Sequence, residues 1–293
     1  MIWSAAMAGA RHRATVIPLL LDTLAVTVKG AWEVRKLRAA YAGPCMRVRR
    51  ALDNLEADIG FTGSGDLDVA GILAHCGSGS GYVSKLYDQS LAMQDLAQTV
   101  ASSQPRIALN GVVDRLATSA NRPALVGITP NTFLSNSSFQ LGGTVYAAFG
   151  IVSLTGNQGP YARALIYKGQ GDDRDYNGNN SVVFATTGGG GIAAQKNGNG
   201  LAFQSIPNGA FAYSSVWDSN GVTFGINGAT STAITATSIG ATGLLVWGSS
   251  DAGVTGAEVW DGMISAHIVT SGTLSNADNA AIRASQKSYY GTP

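Results

Sequence analysis

Charged side chains are scarce in this sequence. They make up 13% of the 293 residues, against roughly 25% in typical soluble proteins. Proline is also rare, with 8 residues, and no Gly-X-Y period accompanies the 38 glycines, so a collagen-like chain is excluded. Hydrophobic residues make up 45% and include 5 tryptophans. That is enough apolar surface to build a core, which argues against intrinsic disorder.

Cysteine and histidine are too few for several kinds of site. The 2 cysteines, Cys45 and Cys76, cannot form a disulfide framework or a structural zinc site, and we expect them to be buried free thiols. The 3 histidines, His12, His75 and His267, do not lie in a nucleophile motif such as G-x-S-x-G. A Ser-His-Asp hydrolase is therefore not expected.

Long hydrophobic runs are absent too. No segment approaches the roughly 20 apolar residues needed to span a bilayer, so membrane insertion is not expected. One apolar run, Ala14–Leu21, follows basic residues as in a signal peptide, but Pro18 and Asp22 keep it short. We predict an ordered N-terminal arm over residues 1–24, followed by one domain over residues 25–293.

Positive charge is concentrated at the N-terminal end. Residues 1–50 carry nine Lys or Arg against two acidic residues, whereas the net charge of the whole chain is only +1. Such an end can bind an acidic partner or act as a protein-binding arm, and we predict that Arg11, Arg13, Arg47 and Arg49 contribute to assembly. Nucleic acid is not an expected partner, because only this end of the chain is basic.

Three segments have the pattern of an amphipathic helix. The first is Ala31–Tyr41, which ends before a Gly-Pro pair. The second begins at Asp66 or Asp68, whose carboxylates can accept hydrogen bonds from free backbone amides, and ends before Gly77. The third begins after Ser275, which can cap it. Its apolar stripe consists of Ala281, Ile282, Ser285 and Tyr289, and it ends at Gly291.

Short strands are predicted for most of the remaining chain. Cys45–Arg50 alternates between apolar and basic residues, as a half-buried strand does. Later, Asn227-Gly228 fits the type I′ turn of a hairpin. The other runs are Thr144–Leu154, Ala162–Lys168, Ser181–Thr187, Gly191–Gln195, Leu201–Ile206, Phe211–Trp217, Val222–Ile226, Leu244–Trp247 and Ala257–Thr270. This spacing predicts a mainly β, antiparallel sandwich with a few peripheral helices and a C-terminal helix.

One acidic loop has part of the pattern of a calcium site. Asp173, Asp175 and Asn177 place oxygen-bearing side chains at alternate positions before Gly178. The twelfth position, however, is Phe184 and not the Glu that an EF-hand requires. An Asx-rich surface turn explains the same residues. We predict no cofactor, with a looser calcium site as an alternative.

Several phrases of the sequence resemble a known family. The phrases are Leu37–Tyr41, Gly43-Pro44, Arg47–Arg50, Asp53-Asn54, Asp58–Gly60 and, most specific of all, Tyr87-Asp88-Gln89-Ser90. Through them, residues 31 to about 99 resemble the start of the α-L-arabinofuranosidase B catalytic domain. The end of the chain, with Gly256–Ile268 and Tyr289–Gly291, resembles the closing strand and helix of laminin-G and concanavalin-type domains. The resemblance implies a concanavalin-like sandwich, or jelly roll.

The same resemblance implies which residues an active enzyme needs. In that family a Glu in a central strand is the nucleophile, and an Asp just before the closing strand is the general acid. No Asp or Glu occurs from Tyr176 through Trp217, where the matching strand is expected, and Asp251 is the positional match to the acid. Because an acid without its partner cannot carry out double displacement, we expect no enzymatic activity.

Detached domains with such phrases also resemble proteins encoded among the virion genes of tailed bacteriophages and related phage-like particles. The main hypothesis is therefore a non-enzymatic virion structural protein, such as a tail-fibre, tail-tip or head-decoration component. It would bind host-surface polysaccharide, and the residues predicted for that contact are Asp88, Trp217, Trp247 and Asp251. Its expected partners are other virion proteins and further copies of itself, and its expected location is the phage particle, after synthesis in the host cytoplasm.

Two alternatives stay open. An active glycoside hydrolase would use Asp251 as acid and another carboxylate, such as Asp218, as its partner. A secreted lectin-like module would share the glycan-binding surface but would need a functional signal peptide.

Overall fold

The computed structural model describes most of the chain. The residues described are 19–128, 132–139, 141, 145–154, 163–167, 181–185, 191–196, 199–205, 207, 209–218, 221–229, 233–234, 245–248, 260 and 262–293. Within them the α-helices are α1 (Leu20–Thr23), α2 (Val69–Cys76) and α3 (Asn276–Tyr290), and a single 3₁₀ turn covers Ala101–Ser103.

Strands make up most of the regular structure in these residues. Those of the first half are β1 (Thr27–Glu33), β2 (Met46–Arg50), β3 (Glu56–Ile59), β4 (Gly81–Leu86), β5 (Leu96–Ala97), β6 (Arg106–Leu109), β7 (Val112–Val113), β8 (Leu125–Val126), β9 (Phe133–Asn136) and β10 (Tyr146–Leu154). Those of the second half are β11 (Arg163–Tyr167), β12 (Ser181–Ala185), β13 (Gly191–Lys196), β14 (Asn199–Ser205), β15 (Ala210–Asp218), β16 (Gly221–Ile226), β17 (Ala233–Ile234), β18 (Leu245–Gly248) and β19 (Gly262–Ser271).

The strands form two connected layers with antiparallel pairing. One layer has the order β17-β16-β15-β10-β19-β1. The other has the order β14-β13-β12-β11-β18-β9-β5-β4-β2-β3. Strands β6 and β8 link them, because β6 pairs with β4, β8 pairs with β6, and β8 also pairs with β19. The predicted fold class, a mainly β antiparallel sandwich with a C-terminal helix, is confirmed.

Two hydrophobic clusters hold the layers and helices together. The larger one fills the sandwich and includes the fully buried rings of Trp32, Tyr146 and Trp217. The smaller one lies where α1 and α3 cover the sheet, and its members are Leu21, Ala31, Leu37, Ala147, Phe149, Ile268 and Ile282. Both faces of β10 and β19 are buried along nearly the whole length of these strands, and this burial stabilises the centre of the first layer.

The helix predicted over Ala31–Tyr41 is wrong. Its first residues lie in β1, where Ala31 pairs with Ile268 and Trp32 with His267 of β19. The next residues form no helix, and the amide of Leu37 donates to a side chain, Gln89, at 2.8 Å. Long-range strand pairing outweighs the local helical periodicity here, because propensity is a weak local preference.

The other two predicted helices are confirmed, with one shift of face. Asp68 caps α2 by accepting from the amide of Gly71 at 2.9 Å. Ser275 caps α3 by accepting from the amide of Asp278 at 3.0 Å, and Gly291 ends that helix in the left-handed region. The buried face of α3, however, consists of Asp278, Ile282, Gln286 and Tyr290, so only one residue of the predicted stripe, Ile282, points fully inward.

Two further predictions from local sequence also hold. Asn227 and Gly228 have φ angles of 48° and 96°, and the amide of Ala229 donates to the carbonyl of Ile226 at 2.8 Å, which closes the predicted hairpin turn. Cys45 and Cys76 are buried free thiols. Among the residues described, no helix is long and apolar enough to cross a membrane.

The N-terminal arm is described only at its end, since residues 1–18 lie outside the described ranges. There α1 is tied to the domain by a 3.0 Å hydrogen bond from the amide of Leu21 to the carbonyl of Leu37. The amide of Ala25 donates to Asp278 of α3 at 2.9 Å. The division into an arm over residues 1–24 and a domain over residues 25–293 stays a prediction.

Candidate functional site

The loop after β4 is organised by one buried carboxylate. Asp88 is 4% exposed. Its Oδ1 accepts from the amides of Ala31 and Ser90, each at 2.8 Å. Its Oδ2 accepts from the Ser90 hydroxyl at 2.6 Å and from the amide of Gln94 at 3.1 Å. Asp88 therefore fixes its own loop to β1, because four donors hold the carboxylate in place.

The neighbouring Gln89 performs a similar task for the segment after β1. Its Nε2 donates to the carbonyls of Glu33 and Arg35, at 2.9 and 3.0 Å. Its Oε1 accepts from the amide of Leu37. These bonds satisfy backbone groups that a helix would have paired internally. The tetrapeptide Tyr87–Ser90 thus acts first as a scaffold that shapes residues 31–37.

A charged and aromatic cluster lies on the solvent side of β2, β3 and β4. Arg47 donates to both oxygens of Asp58, at 2.8 and 2.9 Å. The Tyr87 hydroxyl donates to Oδ1 of the same carboxylate at 2.8 Å. The ammonium of Lys85 lies 5.3 Å from the centroid of the Tyr87 ring and 3.7 Å from Asp95.

The electrostatics of this cluster keep Asp58 ionised. Hydrogen bonding from Arg47 holds the pKa of Asp58 below its ordinary value. Burial, aided by the bond to Asp58, raises the pKa of Tyr87 to about 12. At neutral pH the cluster therefore presents a carboxylate that accepts hydrogen bonds and a phenol that donates one. Asp58 is unsuited to act as a general acid, which must carry a proton.

Beside this cluster is an open depression of about 410 Å³, which we call the Tyr41 depression. The rings of Tyr41 and Phe61 meet edge to face with centroids 6.4 Å apart, and the Tyr41 hydroxyl donates to the carbonyl of Pro44 at 2.7 Å. Its lining residues are Lys36, Tyr41, Ala42, Gly43, Pro44, Asp58, Gly60, Phe61 and Thr62. The partly exposed ring of Phe61, beside a carboxylate and an ammonium group, suits a sugar, which has apolar C–H faces and hydroxyls.

Little in the sequence pattern indicates this cluster. Arg47 belongs to the alternating segment Cys45–Arg50, and Asp58 belongs to the separate phrase Asp58–Gly60. Only the pairing of β2 with β3 sets Arg47 opposite Asp58. The one sequence signal that points to this region is the phrase Tyr87–Ser90, in which Tyr87 of the cluster directly precedes Asp88. The predicted face of β2 is correct, since Met46 and Val48 are buried and the arginines are partly exposed.

A second group of charges is buried beneath the end of α3. Glu33 is 1% exposed and forms an ion pair with Arg35. Burial raises the pKa of Glu33. Arg35 also donates to the Ser285 hydroxyl at 3.0 Å and lies 4.6 Å from the centroid of the Tyr289 ring. Because substrate cannot reach Glu33, this carboxylate belongs to the structural contacts between β1 and α3.

Two of the residues predicted for glycan binding, Asp88 and Trp217, belong to different layers of the sandwich. Asp88 follows β4 of one layer. Trp217 lies near the end of β15 in the other layer, is fully buried, and stacks on Tyr146 with centroids 5.2 Å apart. For Trp247 the description covers only its backbone, which pairs with Leu134 in β18–β9. Asp251 lies outside the described residues. The glycan-binding role of these four residues stays a prediction.

Of the arginines predicted to contribute to assembly, Arg11 and Arg13 lie outside the described residues. Arg47 forms an ion pair with Asp58. Arg49 donates to Gln104 at 2.7 Å and to Asn54 at 2.8 Å, and its guanidinium lies 5.0 Å from the centroid of the Tyr82 ring. These two side chains are bound within the domain, and their role in assembly stays a prediction.

The residues of the alternative calcium loop, Asp173, Asp175 and Asn177, lie outside the described residues, and this site stays a prediction. Among the residues that are described, no group of three or more His, Cys, Asp or Glu side chains is arranged to hold a metal ion.

Comparisons with known proteins bear on function. Residues 26–162 match the model of the family described as alpha-L-arabinofuranosidase B, catalytic. This match includes the segment whose resemblance was noted from the sequence and extends beyond it at both ends. A search of curated proteins finds no match.

Solved structures of arabinofuranosidases share the fold. A GH54 α-L-arabinofuranosidase soaked with a cyclic sulfate inhibitor has a TM-score of 0.66 at 14% identity, covering 90% of this chain and 63% of that one. A Glu-to-Gln mutant of a GH54 enzyme soaked with 4-nitrophenyl α-L-arabinofuranoside has a TM-score of 0.65 at 15% identity, with 90% and 63% coverage. An arabinofuranosidase complexed with arabinofuranosyl-α-1,2-xylobiose has a TM-score of 0.65 at 14% identity, with the same coverage of 90% and 63%. The chain thus spans 63% of the length of these proteins.

The match to a catalytic-domain model overturns the expectation of a non-enzymatic virion protein. The family match and these structural similarities are to arabinofuranosidases and involve no phage or virion protein. The prediction of a virion structural role is therefore wrong, and so is the prediction that the chain has no enzymatic activity. The lack of Asp and Glu from Tyr176 through Trp217 does not exclude catalysis. Catalytic carboxylates need only a suitable separation in space, and any strand or loop can supply them. The partners and location inferred with the virion role stay untested predictions.

Proposed function

We propose that this chain is a glycoside hydrolase domain that cleaves α-L-arabinofuranosides. The observation that carries the proposal is the match of residues 26–162 to the catalytic-domain model of that family. The shared fold over 90% of this chain supports the same architecture. The substrate class is part of the proposal, because similarity at 14% identity indicates the fold alone.

Hydrolysis of a glycosidic bond needs two carboxyl groups with different roles. One donates a proton to the leaving oxygen, and the other attacks the sugar or activates water. Asp251 is assigned the acid role by its position before the closing strand. Asp218 is assigned the partner role: it ends β15, pairs with Gly221 across the hairpin and follows directly after Trp217. It is also the first carboxylate after the acid-free stretch.

The Tyr41 depression is assigned to carbohydrate contact and not to bond cleavage. It lies within the segment that matches the catalytic-domain model. Asp58 stays ionised because of Arg47, so it accepts hydrogen bonds from sugar hydroxyls. The partly exposed ring of Phe61 offers surface to the C–H face of a sugar. Together these groups fit part of an oligosaccharide chain.

Two substrates with different leaving groups test the assignment of the acid. 4-Nitrophenolate is a good leaving group that departs without protonation. The leaving oxygen of a second sugar, in contrast, needs a proton from the acid. Asp251→Asn should lower kcat/KM on an arabinosylated oligosaccharide by about 10²-fold or more, and much less on 4-nitrophenyl α-L-arabinofuranoside. Asp218→Asn should lower activity on both substrates to a similar extent, because attack on the sugar is common to both.

The exposed Asp53, which pairs with Arg50 on the surface, supplies the matched control. Asp53→Asn should leave both activities unchanged. Phe61→Ala should raise KM for the oligosaccharide with little change in kcat, since it removes binding surface. The proposal fails if the folded wild-type chain releases arabinose from neither substrate.

A further inference from the structure

A second pocket lies between α3 and the turn at Asn227 and Gly228, which follows β16. Its volume is about 170 Å³, several times the roughly 30 Å³ that a water molecule occupies in the liquid. It therefore has room for a small ion or a single functional group. We call it the Arg283 pocket. The polar residues on its wall are Ser214, Asn227, Arg283 and Lys287, with Gly228 and Pro293 beside them.

Both charged side chains of the pocket are cations. Arg283 and Lys287 are four residues apart on α3 and face the same pocket. Like charges at this spacing repel each other. Within the described part of the chain, neither residue forms an ion pair with a carboxylate. Lys287, in the last turn, is favoured there by the helix dipole, but Arg283 lies further from the helix end and gains little from it.

The neutral groups add donors to the same space. Asn227 Oδ1 already accepts from the amide of Ala212 at 2.9 Å, so the free end of that side chain is its NH₂ group, a donor. The left-handed turn at Asn227 and Gly228, with φ angles of 48° and 96°, holds this side chain in place. The Ser214 hydroxyl on β15 can donate as well.

The glycine in the turn makes room for the guanidinium. A Cβ atom at Gly228 would lie 2.9 Å from Nη2 of Arg283, closer than side chains normally approach. The absence of a side chain at this position therefore lets Arg283 lie against the turn, next to the donors of Asn227. Four side chains that donate hydrogen bonds, two of them charged, thus line one small pocket.

We propose that the Arg283 pocket binds an oxyanion, either a carboxylate such as that of a uronic acid or a tetrahedral anion such as phosphate. An oxyanion accepts hydrogen bonds from all four side chains and neutralises the two cations. The inference does not depend on the proposed hydrolase activity, since the pocket lies outside the segment that matches the catalytic-domain model.

Isothermal titration calorimetry with the full chain tests the proposal, at constant ionic strength set by sodium chloride. The probes are inorganic phosphate and D-glucuronate, with D-glucose as the uncharged control. We expect saturable binding of phosphate, of glucuronate or of both in the millimolar range, and none of glucose. The responding probe identifies whether the pocket takes a tetrahedral anion, a carboxylate or either.

Variants locate the binding. Arg283 is partly exposed and Lys287 is exposed. Arg283→Gln and Lys287→Gln should each weaken binding by about tenfold or more, because each removes a charged donor. Lys29→Gln on β1 makes the same charge change away from the pocket and should leave the affinity unchanged. The proposal is overturned if neither anion binds saturably, or if Lys29→Gln weakens binding as much as the two pocket variants do. Circular dichroism of each variant checks that it is folded.

Discussion

The Tyr289 hydroxyl donates a 2.8 Å hydrogen bond to Oδ1 of Asp66, which lies 223 residues earlier in the chain. Arg122 donates to the same oxygen at 2.9 Å, and its guanidinium lies 4.0 Å from the centroid of the Tyr289 ring. Arg35 lies on that ring as well, at 4.6 Å. The end of α3 is thereby joined to three distant parts of the chain by one tyrosine.

Substitutions of Tyr289 should separate its hydrogen bond from its ring contacts. Tyr289→Phe keeps the ring beside the two guanidinium groups and should lower the free energy of unfolding by about 1 kcal/mol. Tyr289→Ala also removes the cation–π contacts and apolar packing, and should cost about 3 kcal/mol. Urea unfolding followed by tryptophan fluorescence measures both. Equal losses for the two variants would show that the ring contacts contribute nothing.

Asp88→Asn should be strongly destabilising, although the two side chains have nearly the same shape. The carboxylate accepts from three backbone amides and one hydroxyl, and an amide group would turn an NH₂ donor toward some of them. We expect the free energy of unfolding to fall by about 3 kcal/mol.

Asp53→Asn supplies the comparison for Asp88→Asn, because it makes the same chemical change at an exposed ion pair. Its effect should be much smaller than that of Asp88→Asn, because solvent screens an exposed ion pair. Denaturant titration of both variants distinguishes them. A loss at Asp88 no larger than that at Asp53 would contradict a scaffolding role for the loop.

Gly262→Ala should disrupt the pairing of the two central strands. Gly262 lies opposite Leu154 where β19 pairs with β10, and a Cβ atom there would run into the backbone carbonyl of Ser153. A backbone atom within a sheet cannot move aside cheaply, so we expect a loss of about 2–3 kcal/mol or more. Gly63→Ala, where a Cβ would meet nothing within 4 Å, should change stability by less than about 0.5 kcal/mol. Thermal unfolding of the pair tests the difference.

The Arg47–Asp58 pair should give stability a pH dependence in the acid range. Because Arg47 lowers the pKa of Asp58 in the folded state, the folded chain releases that proton more readily than the unfolded chain, whose Asp has a pKa of about 3.9. The resulting stabilisation is present above the unfolded pKa and is lost as the pH falls through the folded pKa.

Acid titrations of stability check this sign. Both Asp58→Asn and Arg47→Gln should flatten the fall in the free energy of unfolding below about pH 4, one by removing the titrating group and the other by removing the cause of its shift. A wild-type slope retained in both variants would assign the acid sensitivity to other carboxyl groups.

Local chemistry made part of the fold predictable. The helix caps at Asp68 and Ser275 are set by side chains within three residues of the amides they accept from, and the Asn227-Gly228 turn depends on φ angles that these residues adopt readily. The failed helix at Ala31–Tyr41 shows the opposite case. The backbone of this segment bonds to β19 and to the side chain of Gln89. Both are distant from it in the sequence.

The candidate site was predictable only in its composition. The sequence contained Arg47, Asp58 and Tyr87, yet their convergence requires β2 to pair with both β3 and β4. Likewise the helical spacing of Arg283 and Lys287 is readable from sequence, but the turn that faces them comes from another part of the chain. For the same reason, the lack of a carboxylate in one stretch of the sequence does not exclude a catalytic pair, because residues that are close in space need not be close in sequence.

The sequence by itself determined the alternation of short strands and turns, two of the helices and the mainly β class, since each depends on neighbours within a few residues. Tertiary structure decided that residues 27–33 form a strand, that Asp88 and Gln89 hold the loops around them, and which face of α3 is buried. The physical reason is that strand pairing and burial are long-range interactions, and their free energy exceeds the small local preferences that a sequence pattern records.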